Sequence, residues 1–484
     1  MAKARIAYLS ESEKAFIHEK TLQVLAEVGV AYNTPAAIRV LQDAGARTDA
    51  EALTACLTWD VIEPALKTVP RTVPLAGRDA GADRVLGGGR LVATSDGMTT
   101  YMLDDVGGRR REGTLADLAE VTRLCDGLDE IDVLWPSPNP GDVPVEILPL
   151  VTQATMVRSG VKHVQDEVRT PEMVEPILEI YEAACGARLT ERPYFSVTNC
   201  TIAPLQHDRE MTEAGLKLVH RGVPIFVLPM PQAGTTGPMT LLGTCIVHLA
   251  ELLSGVVLYQ LAHPGCAVVS GVGSAVADMR SGGYIAASPE IGLINLICLE
   301  MSRFYGLPTQ ATGMSADAGA ADFQAGSEGG MTALVAVLAG ADSLIAAGGL
   351  DGVQTSSLAK YVLDDDQIGA LRRYLRDDAI DETTALLDDI VEVGIGGHYL
   401  GRRSTRAFSR TEVWRPRAFR RSGPDGPAGR ALAEEAAARA REIIATHEVP
   451  PLAEDAERAI DAVVERFARR AGLPSPPRRR EDPA

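Results

Sequence analysis

The sequence reads IDVLWPSP at residues 131–138, and six further short apolar runs follow it: KHVQDEV (162–168), YFSVTNC (194–200), PIFVLPM (224–230), CAVVSGVG (266–273), PTQATGM (308–314) and SLIAAGGL (343–350). Their length and apolar content predict buried strands. Segments with the composition of helices separate them, such as PEMVEPILEIYEAACG (171–186). Repeated strand–helix units favour a parallel sheet, and so many in series favour a closed (β/α)8 barrel of the TIM type.

An open, doubly wound sheet is the structural alternative to a barrel. Such sheets usually have a glycine-rich phosphate-binding turn after the first strand, and no such turn follows IDVLWPSP. The barrel is therefore the preferred prediction. Seven strands are clear from the pattern, and the eighth could lie around residues 386–395 or be supplied differently.

The flanking regions predict additions to the barrel. Residues 11–46 have apolar side chains at helical spacing, whereas RLVATSDGMTTYMLDD (90–105) alternates apolar and polar residues as a β-hairpin does. We expect four regions: an N-terminal extension of helices and a hairpin (1–125), the barrel (126–425), C-terminal helices (426–472) and a disordered tail (473–484). The tail sequence PSPPRRREDPA (474–484) has little apolar content to bury.

The composition excludes several classes of function. A net charge of −18 and a pI near 5.0 argue against nucleic acid and anionic membranes as partners. The acidic surface is compatible with a cationic substrate, although solubility alone also explains it. Neither a run of about 18 apolar residues nor an apolar N-terminal signal is present, so we expect a cytoplasmic protein without a membrane span.

The cysteines and histidines do not have the spacing of metal ligands. Seven cysteines are scattered along the chain, without a CxxC pair, and no two histidines form an HxH or HxxxH pair. This pattern argues against a disulfide framework and against a structural zinc site. We therefore expect no bound metal.

Polar side chains follow the predicted strands, where a barrel of this type places its active site. The loop GMSADAGAADFQAG (313–326) contains three of them, Asp317, Asp322 and Gln324, among small residues. Small residues let a bulky partner or cofactor approach the backbone closely, and we expect these three side chains to be catalytic. The alternative for each of them is a helix cap in a βα loop.

Longer motifs occur in a fixed order along the chain: IHEKTLQVLAEVGV (17–30), VLQDAGA (40–46), SGGYIAASPEIGLIN (281–295), FYGLPTQATGMSADAGAADFQAG (304–326), ADSLIAAGGLDG (341–352), YVLDDDQ (361–367), EVGIGGHYLG (392–401) and VWRPRAF (413–419). Together they resemble the trimethylamine methyltransferase family, over roughly residues 10 to 455. The resemblance implies an enzyme that demethylates a methylated amine and passes the methyl group to a corrinoid.

The resemblance also implies a class of substrate. Trimethylamine enzymes of this family have pyrrolysine, an electrophilic residue that holds the amine, at a position that corresponds to about Gly319. Because glycine has no side chain, the chain resembles the non-pyrrolysine branch, whose members demethylate quaternary amines such as glycine betaine. A quaternary ammonium is already cationic, so its demethylation needs positioning and electrostatics more than a covalent adduct.

Quaternary ammonium groups are held by aromatic faces and carboxylates, because they donate no strong hydrogen bonds. We expect the substrate-binding side chains to come from strand ends and loops: Tyr101, Asp96, Asn199, Gln232, Phe323, Glu328 and His398. Further candidates are Trp135, Phe195, Tyr284 and Asp166. Tyr101 and Phe323 are favoured among the aromatic residues because both lie in polar, glycine-containing segments, although core packing is the alternative for every aromatic residue.

The chain lacks the DxHxxG signature of cobalamin binding. The resemblance therefore implies that a separate small corrinoid protein carries the corrinoid (cobalamin) cofactor and docks over the barrel mouth. We also expect a homo-oligomer. Two other functions stay open: a non-catalytic barrel that binds a betaine-like ligand, and a lyase or aldolase. The latter would need a strand-end lysine or a metal cluster, and Lys162 begins its strand instead.

Overall fold

Eight parallel strands form a closed barrel in the computed structural model, which describes residues 4–97, 99–104, 108–421 and 432–474. We number these strands in chain order: β1 Val92–Ser95, β2 Val133–Leu134, β3 His163–Asp166, β4 Phe195–Ile202, β5 Ile225–Leu228, β6 Val268–Val272, β7 Thr309–Thr312 and β8 Ser343–Ala347. Because β8 pairs with both β7 and β1, the sheet is closed. The predicted (β/α)8 barrel is confirmed.

The helices surround the barrel and extend it at both ends of the chain. Three precede it: α1 Glu11–Glu27, α2 Pro35–Asp43 and α3 Trp59–Thr68. One follows each barrel strand: α4 Leu115–Gly127, α5 Leu148–Ser159, α6 Val174–Cys185, α7 Arg209–Leu218, α8 Leu241–Ala262, α9 Pro289–Phe304, α10 Phe323–Ala339 and α11 Leu358–Leu375. The remaining helices are α12 Glu382–Ala385, α13 Leu387–Val393, α14 Arg403–Phe408, α15 Leu432–Thr446 and α16 Glu454–Arg470.

Short strands and two 3₁₀ turns lie outside the barrel sheet. They are Val30–Ala31, Arg47–Asp49, Thr54–Cys56, Val73–Leu75, Arg84–Leu86, Tyr101–Leu103, Arg110–Glu112, Gln206–His207, Gln232–Ala233, Ala275–Ala277, Tyr284–Ile285, Gly349–Leu350 and Thr355–Ser356, with 3₁₀ turns at Ala80–Ala82 and Val219–Arg221. Most of the strands between residues 232 and 356 lie just after a barrel strand, so they belong to the carboxyl end of the barrel.

The position of β1 corrects two expectations. β1 lies at Val92–Ser95, inside the region predicted to be the N-terminal extension, and all of its residues are buried. Residues 387–393 form α13, so of the two possibilities for the eighth strand the one around 386–395 is wrong, and Val92–Ser95 supplies it instead. The predicted hairpin begins only after β1, where Tyr101–Leu103 pairs with Arg110–Glu112. The barrel therefore begins before residue 126, while the rest of the division into domains stays a prediction.

A small antiparallel pair fills the amino end of the barrel. Strand Val73–Leu75 pairs with Arg84–Leu86. The apolar side chains of this pair form one buried cluster with inward-facing barrel residues: Val73, Leu75, Leu86, Val92, Val133, Phe226 and Val269. Since this end is filled, the open space of the interior lies toward the carboxyl ends of the strands, where barrels of this type place their sites.

α8 is the one helix among the described residues that is long and apolar enough, by length and composition, to cross a membrane. From the sequence we expect no membrane span. In the structure 72 % of its most apolar window is buried, and it packs against α1, α3 and α9. Burial of this kind is typical of a core helix, so packing inside the protein accounts for its apolar surface.

The YVLDDDQ motif on α11 joins three separate parts of the chain. Asp364 accepts the backbone N–H of Gly348 (2.8 Å), and Asp365 accepts that of Glu130 (2.7 Å). Asp366 accepts the N–H groups of three consecutive residues of VWRPRAF: Arg417, Ala418 and Phe419. Buried carboxylates need such donors. The three aspartates therefore have structural roles, and they connect the YVLDDDQ and VWRPRAF motifs.

The C-terminal helices pack on the outside of the barrel. α15 contacts α11 and α4, and α16 contacts α6 and α5. Both helices lie within the region predicted to be helical. The tail predicted to be disordered, residues 473–484, lies outside the described residues from position 475 onward.

Candidate active site at the carboxyl end of the barrel

The middle of the barrel contains polar side chains that satisfy one another. Gln165 on β3 and Gln310 on β7 exchange two amide hydrogen bonds across the interior, each 3.0 Å long. Gln165 also donates to Oγ1 of Thr198 (2.7 Å), and Gln310 donates to Oγ of Ser343 (3.3 Å). All four amide hydrogens are used within the protein, so this layer forms a floor and not a ligand site.

Side chains one layer further toward the carboxyl end lie above this floor. Residues two positions along a strand face the same side, which places Glu167, Cys200 and Thr312 there. Sγ of Cys200 donates to Oε1 of Glu167 (3.6 Å). Oγ1 of Thr312 is buried and has no hydrogen-bond partner within the described part of the chain. A buried hydroxyl in this state is available to a ligand or a water molecule.

Tyr284 lies near two carboxylates, Asp317 and Asp96, at the mouth of the barrel. It belongs to the short strand after β6 and keeps 39 % of its surface exposed. Desolvation, followed by the negative charges of Asp317 and Asp96, raises the pKa of Tyr284 to about 12. A side chain that is surrounded by protein yet open to solvent lies in a concave site. Tyr284 therefore lines the cavity with a phenol that stays protonated at neutral pH.

Asp96 directly follows β1 and is almost fully buried. Its backbone N–H donates to the carbonyl of Ala347 (2.8 Å), which fixes it where β1 meets β8. Gly349 makes this position possible, because a Cβ there would lie 1.9 Å from Oδ2 of Asp96. Only glycine lets the backbone approach the carboxylate this closely.

Trp135 provides an aromatic surface beside these acidic groups. It follows β2 and packs on the backbone of Gly97, where a Cβ would lie 2.1 Å from the indole ring. Its apolar neighbours include Ala286 and Ile345. Ala286 is two residues after Tyr284, so the indole and the phenol lie at the same side of the mouth.

The loop after β7 brings Asp317 to the mouth of the barrel, and Glu328 holds this loop in place. The carboxylate of Asp317 accepts the N–H groups of Ala286 (2.8 Å) and Ala287 (3.2 Å), which hold it beside the strand of Tyr284. Oε2 of Glu328 accepts the N–H groups of Asp317 (2.8 Å) and Ala318 (3.2 Å). Burial raises the pKa of Asp317, and the two N–H donors to its carboxylate oppose this effect.

The other residues predicted in this loop do not face the cavity. Asp322 is exposed and caps α10 by accepting the N–H of Ala325 (3.1 Å). Gln324 is exposed and donates to Oε1 of Glu328 (2.7 Å). Phe323 is 91 % exposed at the first position of α10. Asp322 and Gln324 therefore support the helix and its loop, and a catalytic role for them gains no support from these contacts.

Tyr101 lies at the carboxyl end of the barrel, but a cation already occupies one face of its ring. The guanidinium of Arg110 lies 4.0 Å from the ring centroid, and Arg110 forms an ion pair with Asp351. Gln232 lies at the same end, in the short strand after β5, where its carbonyl accepts the N–H of Gly237 (2.9 Å). Neither side chain contacts the acidic groups around Tyr284 in the structure.

Asn199 faces away from the barrel interior. Its Nδ2 donates to the hydroxyl of Tyr259 (2.6 Å) and to the carbonyl of Met211 (3.1 Å), on α8 and α7. Alternate residues of a strand point to opposite faces, and Asn199 has the opposite parity from the inward Thr198. A substrate-binding role for Asn199 therefore gains no support from these contacts.

His398 belongs to a segment whose base is anchored at the amino side of the barrel. It is exposed in the segment between α13 and α14, and Arg376, just after α11, pairs with Glu412 at the base of this segment (3.2 Å). α11 itself ends at the amino side of the barrel, where Arg372 donates to the carbonyl of Leu91 (2.9 Å), the residue before β1. A substrate-binding role for His398 gains no support from this anchoring and stays a prediction.

Two further candidates belong to the packing of the barrel. Phe195 stacks on Tyr181 with ring centroids 4.4 Å apart, which is the core-packing alternative. Asp166 accepts a hydrogen bond from Gln153 on α5, behind the sheet. Desolvation raises the pKa of Asp166 to about 7. Neither residue reaches the cavity.

No group of three or more histidine, cysteine and acidic side chains within the described ranges is arranged to hold a metal ion. A cavity of about 710 Å³ lies at the amino side of the barrel, beside the end of α11. Several arginines line it: Arg90, Arg372, Arg373, Arg376, Arg410 and Arg415. Asp129 and Glu130 also line it, but the six guanidinium groups outnumber them and repel a cationic ligand, so this cavity does not suit an ammonium substrate.

Comparison with known proteins identifies the family. The family model described as trimethylamine methyltransferase (MTTB) matches residues 2–474. The chain is 30 % identical to the glycine betaine methyltransferase of Desulfitobacterium hafniense (strain Y51), over 96 % of this chain and 97 % of the relative. It is 31 % identical to the trimethylamine methyltransferase MttB of Methanosarcina thermophila, over 82 % and 84 %. The barrel is thus that of a methyltransferase family. The chain belongs to the trimethylamine methyltransferase family.

A solved structure shares the fold. The crystal structure of the Methanosarcina barkeri monomethylamine methyltransferase (MtmB) matches with a TM-score of 0.56 and 12 % sequence identity. The match covers 97 % of this chain and 89 % of that one. At this identity the likeness concerns the fold alone.

Proposed function

We propose that this chain transfers a methyl group from a quaternary ammonium compound, such as glycine betaine, to the corrinoid of a separate protein. The observation that supports this most is the carboxylate of Asp317, which is held beside the strand of Tyr284 by the N–H groups of Ala286 and Ala287. The carboxylate of Asp96 acts on the same phenol, and the indole of Trp135 packs with Ala286. Negative charge and aromatic surface are the features that bind a quaternary ammonium.

The chemistry requires positioning more than covalent activation. The N–CH3 bond breaks with its electron pair going to nitrogen, so the ammonium leaves as a neutral tertiary amine. When docked, the corrinoid supplies a Co(I) nucleophile, which provides the electron pair for the new bond to the methyl carbon. Asp96 and Asp317 hold the cation, and the hydroxyl of Tyr284 is a donor for a substrate carboxylate. Orientation of the methyl group toward the open mouth is the contribution of this chain.

The glycine at position 319 favours a quaternary amine over a tertiary amine as the substrate. The residue is exposed in the loop after β7, and a Cβ there would meet no atom within 4 Å. The loop thus has room for a large residue, yet glycine has no group that forms an adduct with an amine nitrogen. A substrate with a permanent positive charge does not need such an adduct. The relative named glycine betaine methyltransferase supports the same substrate class.

Exposed apolar side chains near the mouth provide a docking surface for the corrinoid protein. Met239 and Met279, in the loops after β5 and β6, are 57 % and 65 % exposed. Both sulfurs lie close to Gly234, at 3.1 and 2.8 Å from the position of a Cβ there. Phe323 is exposed in the region after β7. An apolar surface beside the cavity fits a partner that must bring its cofactor to the bound substrate.

A methyl-transfer assay with several substrates tests the proposal. The purified chain is mixed with reduced corrinoid proteins and with glycine betaine, choline or trimethylamine, and methylated Co(III) is followed by absorbance. We expect methylation with a quaternary amine and negligible methylation with trimethylamine. Binding of a betaine without any methylation would support the alternative, a non-catalytic betaine-binding barrel.

A further inference from the structure

The segment from residue 380 to residue 413, which we call the arm, exposes many large apolar side chains. It contains α12, α13 and α14. The exposed side chains are Ile380, Leu387, Ile390, Val391, Ile395, Tyr399, Leu400 and Val413, with exposures between 44 % and 108 %. Soluble monomers rarely expose a dense apolar surface of this kind, and such surfaces mark interaction sites.

The arm has no core of its own. No side chain of α12, α13 or α14, all of which the structure describes, is buried. The three helices have 4, 7 and 6 residues, well below the roughly 12–15 residues at which an isolated helix becomes marginally stable in water. Helices this short are stabilised mainly by packing against another surface.

The arm nevertheless has a defined shape. Asp389 on α13 accepts hydrogen bonds from Arg402 and Ser404, which join α13 to α14. At the base, Arg376 pairs with Glu412 (3.2 Å). These contacts hold the ends of the arm together and leave its apolar side chains exposed.

The charges of the arm divide into two halves. The acidic half, residues 381–393, has five carboxylates and no basic residue: Asp381, Glu382, Asp388, Asp389 and Glu392. The basic half, residues 402–410, has four guanidinium groups and no acidic residue: Arg402, Arg403, Arg406 and Arg410. Arg402 pairs with Asp389 and Glu392 within the chain. Glu382, Asp388, Arg403 and Arg406 are exposed.

We propose that the arm is the interface between two copies of this chain related by a two-fold axis. A two-fold interface uses the same surface on both copies, so that surface must be complementary to itself. An apolar centre flanked by one acidic and one basic half has this property, because each acidic half meets the basic half of the other copy. A typical interface uses about 20–30 residues per side, and the arm is longer than that.

This arrangement also agrees with the position of the arm in the fold. The arm is anchored at the amino side of the barrel, at the end of α11. Dimerisation there leaves the carboxyl end open. It gives the exposed EVGIGGHYLG motif, which has no role in the cavity, a place in a packed interface. The inference does not depend on the proposed function.

Size-exclusion chromatography with light scattering tests the proposal on the full chain. We expect the wild type to be a dimer or a multiple of one. We expect Ile395→Asp and Val391→Asp to raise the dimer dissociation constant at least tenfold. Val145→Asp is the matched control, because Val145 is 74 % exposed outside the arm, and it should keep the wild-type mass. Circular dichroism checks that each variant is folded. A monomeric wild type, or arm variants with unchanged mass, overturns the proposal.

A charge-reversal experiment tests the two-fold pairing itself. Glu382→Lys/Asp388→Lys makes the acidic half basic, and Arg403→Glu/Arg406→Glu makes the basic half acidic. Each variant alone should dimerise at least tenfold more weakly, because like charges then face each other. An equimolar mixture should form heterodimers again, since both contacts are then complementary. A mixture that stays monomeric contradicts the pairing. A monomeric wild type whose arm binds only the corrinoid protein contradicts it as well.

Discussion

Asp96 and Gly349 lie in contact where β1 meets β8, and a Cβ on residue 349 would lie 1.9 Å from Oδ2 of Asp96. The two residues follow the first and the last strand of the barrel, so their contact forms only when the barrel closes. The carboxylate that we assign to the ammonium site is therefore held in place by the closure of the sheet.

We expect Gly349→Ala to displace Asp96 and to lower kcat/KM for a quaternary amine at least tenfold, or about 1.4 kcal/mol in the transition state. Gly319→Ala is the control at the same end of the barrel, because a Cβ there meets no atom within 4 Å. Steady-state kinetics of both variants checks this. Equal rates for the two variants would show that the contact does not position Asp96.

Asp317 and Asp322 are five residues apart and should behave differently. We expect Asp317→Asn to lower kcat/KM at least tenfold, since an amide does not balance the charge of an ammonium. Asp322→Ala should lower the free energy of unfolding by about 1 kcal/mol through loss of the N-cap, with kcat/KM nearly unchanged. Kinetics and urea denaturation measure the two effects. The site assignment fails if the losses are exchanged between the two variants.

Phe323 should affect the protein partner and not the amine. Its side chain is 91 % exposed beside the mouth, where it adds to the apolar docking surface. We expect Phe323→Ala to raise KM for the corrinoid protein several-fold and to leave KM for the amine unchanged. Titration of each reactant at saturating levels of the other separates the two constants. A change in the amine KM alone would place Phe323 in the substrate site instead.

Glu251 should give the stability of the fold a dependence on pH. It is fully buried on α8 and accepts hydrogen bonds from Thr201 and Leu205. Burial raises its pKa from 4.5 to about 7. The folded state therefore favours the protonated form, whose stabilising contribution is complete below pH 4.5 and is lost as the pH rises through about 7.

We expect Glu251→Gln to reduce the fall in the free energy of unfolding between pH 5 and pH 8, a fall of at most about 1.4 kcal/mol per pH unit for one group. Exposed Glu290 offers the matched control, Glu290→Gln. Urea denaturation at several pH values measures the slope. An unchanged slope in Glu251→Gln would show that Glu251 titrates normally in the folded protein.

Most of the barrel could be predicted from the sequence because β2 to β8 alternate regularly with helices. β1 could not, because Val92–Ser95 is only four residues long and includes Thr94 and Ser95. Together with the segment that follows it, β1 has the alternating polar and apolar residues that are typical of a β-hairpin. The pairing with β8 that makes it a barrel strand is a long-range contact, and no local pattern indicates it.

The end of the barrel that holds the site was predictable, but the side chains in it were only partly so. Asp317 and Asp96 were predicted, and both influence Tyr284 in the structure. Asn199 was chosen because the sequence alone does not show which residues of β4 face the barrel interior. In the structure the contact of Thr198 with Gln165 shows that Thr198 faces inward and Asn199 outward. Cys200 and Thr312 were missed as lining residues for the same reason. Phe323 was favoured over Tyr284 because the exposure of a side chain depends on the tertiary structure, which the sequence pattern does not show.

The most direct test of the proposed function follows the methyl group itself. Glycine betaine with deuterated N-methyl groups is incubated with the purified chain and a reduced corrinoid protein, and mass spectrometry measures dimethylglycine and corrinoid-bound methyl. We predict equal amounts of the two products, dependence on the corrinoid protein, and at least a tenfold lower rate in Asp317→Asn. Absence of label transfer from every quaternary amine, or equally fast consumption of trimethylamine, would contradict the account.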